Sequence, residues 1–169
     1  MIKNIFIKLG LLDRRIIFIV IGLSVLIPLI KPEWVPLPVR PKHHSQIVFN
    51  EIDKLQAGSK LLLSFEYGPS TKPEIHPMAI ALLKHMFVKD IKVYATALWA
   101  DGNFMSTDAF DEVTEEFDIE YGLDYINLGF KPGGEAVVKG IASDLRALYS
   151  VDLKGNSIDD SPMMDGIYS

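Results

Sequence analysis

Three short apolar runs, at residues 60–68, 91–99 and 124–130, alternate with stretches whose apolar residues recur at helical spacing, and a charge-free apolar block fills residues 16–30. The alternation predicts an α/β fold, a small three-layer domain on a short parallel sheet of about three strands, because apolar strands separated by helices join through right-handed crossovers. The block predicts a transmembrane helix ahead of that domain. Its sequence, IIFIVIGLSVLIPLI (Ile16–Ile30), has Arg14 and Arg15 before it and Lys31 after it. Charge in lipid costs several kcal/mol, so a charge-free run with cations at both ends reads as a membrane segment. Fifteen residues at about 1.5 Å each span about 22 Å, against a hydrocarbon core of about 30 Å. The arginine and lysine stems must therefore reach outward to the headgroups, with Leu11, Leu12 and Trp34 extending the apolar contact.

A buried core helix of this length would carry a polar stripe, and this block has only Ser24. A cleaved signal peptide is the stronger rival. The segment after Leu29, IKPEWVPLPVRPK, lacks the small-x-small pattern that cleavage needs. Pro32, Pro36, Pro38 and Pro41 make it an extended spacer instead. Lys3, Lys8, Arg14 and Arg15 precede the block, whereas Lys31, Arg40 and Lys42 follow it. That small excess favours a single-pass protein of the cell membrane, its N-terminus cytoplasmic and its domain outside. The expected organisation is an anchor over 1–31, a proline-rich linker over 32–44 and a soluble α/β domain over 45–169.

Within that domain Ser45 caps a first helix that runs to about Ala57, with Val48, Ile52 and Leu55 on one face and Gly58 as its stop. KLLLSFEYG (60–68) is a strand covered on both faces. Residues 73–90 place Ile75, Ala79, Leu82, Leu83, Met86 and Phe87 at helical spacing, and Pro77 suits a first turn. IKVYATALW (91–99) is the second strand. Ser106 or Thr107 caps a third helix whose inner stripe is Phe110, Val113 and Phe117. DYINLGF (124–130) is the third strand, and Gly133 and Gly134 open a last helix that carries Val137, Ile141, Leu145 and Leu148 inward to about Tyr149. Three strands are few for such a fold. Either the domain is unusually small, or the sequence is a fragment whose next strand is missing, or a partner chain completes the sheet edge.

Charge is divided unevenly. Residues 1–42 carry seven Lys/Arg against two Asp/Glu, and residues 43–169 carry ten against twenty. The basic first part suits anionic headgroups. The acidic domain repels phosphate backbones, so no nucleic-acid partner is expected. There is no cysteine, which excludes disulfides, thiolate catalysis and cysteine-ligated metals.

The stretch YGLDYINLGFKPGGEAVVKGIASDLRALY (121–149), followed by SPMMDGI (161–167), resembles a family of uncharacterised prokaryotic proteins. The resemblance implies an N-terminal anchor and a Rossmann-like domain in a chain that runs further than this one. It implies no activity, and it assigns no catalytic residue.

Ligands of parallel α/β sheets sit beyond the carboxyl ends of the strands, so the turns Glu66–Glu74, Asp101–Thr107 and Gly129–Glu135 are where a site belongs. Glu66 and Asp101, at the ends of adjacent strands, form a pair of carboxylates suited to a cation or to acid–base work. Lys131 stands in the third turn as a contact for an anion. Gly129 to Gly134 has the glycine spacing of a phosphate loop, yet Glu135 and Ala136 follow where Lys and Ser/Thr are needed. A carboxylate at a helix N-terminus takes an anion's place, so a glycine-rich turn is the simpler reading of Gly133 and Gly134. His43, His44, His76 and His85 show no metal spacing, and neither a metal nor a cofactor is expected. Asp108, Asp111, Glu112, Glu115, Glu116, Asp118, Glu120 and Asp124 form a run without Lys or Arg, either a solvated helix face or a docking surface for a basic partner. No hydrolase or dinucleotide signature occurs. An accessory or interaction module of a membrane assembly is the first expectation. A sensory domain for a small solute or cation at the three turns comes second, and a hydrolase or transferase using Glu66 and Asp101 last.

Overall fold

The computed structural model describes residues 13–34 and 40–167. Expectations that rest on Lys3, Lys8, Leu11, Leu12, Pro36 and Pro38 lie outside the described residues. The chain divides into two units, residues 1–43 and 44–169.

In the first unit, α1 (Arg14–Ile30) begins at Asp13, whose Oδ1 accepts the Arg15 N–H at 2.9 Å. Pro28 lies inside its last turn, Ser24 donates to the Ile21 carbonyl at 2.8 Å, and none of its residues is buried. Its 17 residues rise about 25 Å, less than the hydrocarbon thickness of about 30 Å. Among the described residues no helix is long and apolar enough to cross a membrane, so the expected transmembrane span is not supported. A 3₁₀ turn, Pro32–Trp34, follows α1.

The second unit is α/β. Its elements are α2 (His43–Asp53), β1 (Lys60–Ser64), α3 (Lys72–Val88), β2 (Lys92–Ala97), α4 (Gly102–Thr114), β3 (Tyr125–Phe130), α5 (Glu135–Ser143) and α6 (Leu145–Leu148). The three strands are parallel and lie in the order β1-β2-β3. Sequential parallel strands joined by right-handed crossovers put their connecting helices on one face. Accordingly Ile52, Leu83, Met86, Phe110 and Val113 share a core with Val93 and Ala95. The alternate residues Tyr94, Ile126 and Leu128 face the other way, onto Tyr149, Ile158, Met163 and Met164, with Ile141, Leu145 and Leu148 around them. These three layers on a short parallel sheet fit a small Rossmann-like domain.

Several boundaries differ from the sequence reading. α2 ends at Asp53, and the chain turns through Gly58, whose φ of 78° needs glycine and whose N–H donates to the Asp90 carbonyl at 2.8 Å. β1 stops at Ser64, and its residues 60, 62 and 64 are exposed, because it is an edge strand rather than one covered on both faces. α3 starts at Lys72, so Pro73 occupies its first turn and Pro77 falls in its interior. α4 starts at Gly102, four residues before the expected caps. There Ser106 and Thr107 donate back to the Asn103 carbonyl, at 3.0 and 2.9 Å, from inside the helix. The expected last helix breaks at Asp144, which is extended (φ −157°) and caps α6 by accepting the Ala147 N–H at 2.8 Å.

Candidate functional site

The expected residues at the carboxyl ends of the strands are only partly brought together. Glu66 Oε1 accepts the Leu98 N–H at 2.8 Å and also a hydrogen bond from Ser64 Oγ. Its carboxylate thus prolongs the β1–β2 ladder by one step. Asp101 lies beside Gly68, where an added Cβ would stand 2.8 Å from Asp101 Oδ2. Among the described residues no hydrogen bond or ion pair joins Glu66 to Asp101.

The charge of Glu66 is also felt at Tyr149 on the second core. Tyr149 donates to Thr96 Oγ1 at 2.6 Å, and Thr96 donates to the Gly129 carbonyl at 3.2 Å. Burial pushes the Tyr149 phenol up, the Thr96 bond opposes this, and the charge of Glu66 adds to it. Lys131 holds its Nζ 5.4 Å from the Tyr149 ring centre, while its N–H donates to the Ala97 carbonyl at 2.9 Å. Gly133 and Gly134, with φ of 137° and 50°, form the turn that starts α5. Glu135, which follows them, pairs with Lys139 at 2.7 Å along the helix surface.

A polar network that the sequence does not announce ties the first turn to α4. Tyr67 Oη lies 2.7 Å from His76 Nδ1. Burial, with the charges of Asp108 and Glu112, pushes the phenol up to about 12. The other ring nitrogen, Nε2, faces Asp108 Oδ2 at 3.4 Å and Glu112 Oε2 at 3.6 Å. Lys72 pairs with Asp108 and holds its carboxyl below the usual range, chiefly through their hydrogen bond. Tyr67 is 3% exposed and His76 6%, so neither can touch a solute, and the network acts as a clamp between α3 and α4. Among the described residues no group of three or more His, Asp or Glu could hold a metal ion.

The acidic run is also partly spent. Asp108, Glu116 and Asp124 pair with Lys72, Lys84 and Lys92 respectively, and the helix ends near Thr114, so the run is not one continuous helix face.

The most open feature is the outer edge of β1. Lys92 N–H donates to the Ser59 carbonyl and Phe65 N–H to the Thr96 carbonyl, the two ends of a parallel ladder. With a period of two, the main chain of Leu61, Leu63 and Phe65 faces β2, and that of Lys60, Leu62 and Ser64 faces outward. The far edge of β3 is covered in part, because Leu153 N–H donates to the Asn127 carbonyl at 2.7 Å. Among the described residues no backbone hydrogen bond covers the outer edge of β1, though Lys60 Nζ donates to the Asp165 carbonyl, and an apolar groove of about 210 Å³ lies along each of its faces. Leu62, Tyr94, Ile141 and Leu145 line one groove. Leu63, Phe65, Ile75, Met78 and Leu82 line the other. Leu62 is 43% exposed and Met78 59%. In the sequence, only the polar ends of the leucine run, Lys60 and Ser64, hint at this edge position.

No protein-family model, no curated protein and no solved structure matches this chain. Its function rests on its own geometry.

Proposed function

We propose that this chain is a membrane-held interaction module whose sheet is completed by a β-strand from another polypeptide. The open edge of β1 carries the reading. Main-chain groups that pair with no other strand among the described residues, between two apolar grooves, fit an added strand, whose alternate side chains would enter the two grooves while its backbone continues the ladder. Left bare, such an edge is an aggregation hazard, and at β1 neither a proline nor a bulge blunts it.

The apolar surface of α1 supports the membrane part of the proposal. A helix apolar all round needs a cover, and Arg14, Arg15 and Lys31 at its ends suit headgroups on either side. A span this short requires snorkelling cations and a locally thinned bilayer. The proposed topology is single-pass, with the α/β domain on the outer side. The unpaired acids of the 108–124 run, Glu115 and Asp118 among them, offer a basic partner a second contact.

Native mass spectrometry of the full chain extracted from its own membranes in mild detergent tests this. The expected result is a complex with a further polypeptide, dissociated by Leu62→Lys, which puts a charge at the groove without touching the buried core. A clean monomer, or a complex indifferent to Leu62→Lys, would overturn it.

A further inference from the structure

At the opposite edge of the sheet, a cavity of about 270 Å³ opens between α4, β3 and the turn around residues 152–156. Tyr121 forms its accessible aromatic wall, and the buried rings of Phe110 (2% exposed) and Tyr125 (8%) lie behind it. Phe110 and Tyr125 stack with centroids 4.3 Å apart, and Tyr121 meets Tyr125 edge-on at 5.2 Å. Tyr121 is held in place, because its Oη donates to Asp152 Oδ2 at 2.9 Å. Asp152 is buried, and it also accepts from the Asn156 N–H at 2.8 Å and from Asn156 Nδ2 at 3.1 Å. Burial and the Asp152 contact raise the Tyr121 phenol well above its ordinary value, so the ring stays neutral and fixed. Asp111 stands at the mouth of the cavity, close enough that its charge, together with burial, raises the Tyr125 phenol.

One cation is already there. Lys154, from the same turn as Asp152, places its Nζ 3.6 Å from the centre of the Tyr121 ring. An exposed lysine over a tyrosine is an ordinary surface contact when the ring stands alone. Here the ring face is a wall of a cavity, two more aromatics adjoin it, and a carboxylate rims it.

We propose that this pocket binds a small organic cation of the alkylammonium class, and that Lys154 is its resident occupant, displaced when the ligand enters. The faces of aromatic rings attract cations through their quadrupoles, methylated ammonium groups included, and the Tyr121 face is the one a cation can reach here. Asp111 supplies the opposite charge. The excess of acids in this domain, twenty against ten Lys/Arg over residues 43–169, concentrates cations around it. Lys154 can leave cheaply, because its side chain is exposed and long. The site is remote from β1, so the inference stands apart from the strand-accepting edge.

Calorimetric titration of the full chain with choline, tetramethylammonium and 3,3-dimethylbutanol, the neutral carbon analogue of choline, tests it. Choline and tetramethylammonium are expected to bind at least about tenfold more tightly than the alcohol. Lys154→Ala removes the competitor and tightens choline by about two- to thirtyfold, the range a cation–π contact covers. Asp111→Asn weakens it by about threefold, and Tyr121→Leu abolishes it. Asp111 and Lys154 are exposed, so those two variants keep the fold, which circular dichroism verifies. Equal affinity for choline and the alcohol, no binding even to Lys154→Ala, or weaker binding by Lys154→Ala would each overturn the proposal.

Discussion

Gly102→Ala sets two effects of opposite sign against each other. Glycine in a helix is worse than alanine by about 1 kcal/mol, so propensity alone predicts that the change strengthens α4. Packing predicts the reverse. A Cβ at residue 102 would stand 2.1 Å from the Phe65 carbonyl oxygen and 2.6 Å from Ala97 Cβ. An ordinary C···O contact is a full ångström longer than the first of these, and its partner is backbone, which cannot swing aside. Relief requires the start of α4 to lift off the ends of β1 and β2, loosening Met105, Ala109 and Phe110 in the core. Overpacking of this kind costs about 1–3 kcal/mol, and a clash with backbone belongs at the upper end. The net expectation is a loss of about 2 kcal/mol. With a urea slope of about 2 kcal/mol/M, the midpoint of the variant falls by about 1 M. Urea unfolding of both proteins, followed by circular dichroism, measures it. An unchanged or higher midpoint would refute the close approach of α4 to the strand ends.

Two further outcomes follow from the polar contacts. Tyr67→Phe removes the hydroxyl partner of His76 Nδ1 inside a buried site, so stability falls by about 1–3 kcal/mol in the same urea assay; an unchanged midpoint would show that the α3–α4 clamp contributes nothing. Burial pushes the Asp124 carboxyl up, yet its bonds to Lys92 at 2.7 Å and to the Glu120 N–H at 2.8 Å prevail and hold it below the usual range. A depressed carboxylate contributes stability that is present above its unfolded value of about 3.9 and is lost as the pH falls through its folded value. Asp124→Asn is therefore expected to cost about 1 kcal/mol at pH 7, and the gap to the parent protein to close below about pH 4. A gap that does not narrow at all as the pH falls from 7 through the acid range would contradict this account of the pair.

The parallel sheet was legible because residues 91–99 and 124–130 are apolar runs between helix-periodic stretches, and burial on both faces leaves that trace. β1 misled because Leu61, Leu62 and Leu63 look the same whether or not a neighbour covers them. The helix starts were less legible. Ser106 and Thr107 have the chemistry of caps, but Gly102 alone tolerates the approach to Phe65, and that distance is a tertiary fact. The break at Asp144 was invisible to periodicity because Ile141, Leu145 and Leu148 stay on one side across it. For α1 the composition was plain, yet among the described residues no helix is long and apolar enough to cross a bilayer. Among the site residues, Glu66 lies two residues beyond the end of β1. Its engagement with the Leu98 N–H depends on the pairing of β1 with β2, which a single strand cannot disclose. Tyr67 and His76 meet across a turn, with no spacing to mark them.

Hydrogen exchange at single amides of β1, in the complex drawn from native membranes, tests the open edge most directly. The Leu61 and Leu63 amides face β2 and exchange slowly in any case. If another polypeptide completes the sheet, Leu62 and Ser64 exchange as slowly as they do in that preparation and rapidly in the isolated chain. Rapid exchange at Leu62 and Ser64 in both preparations would contradict the account.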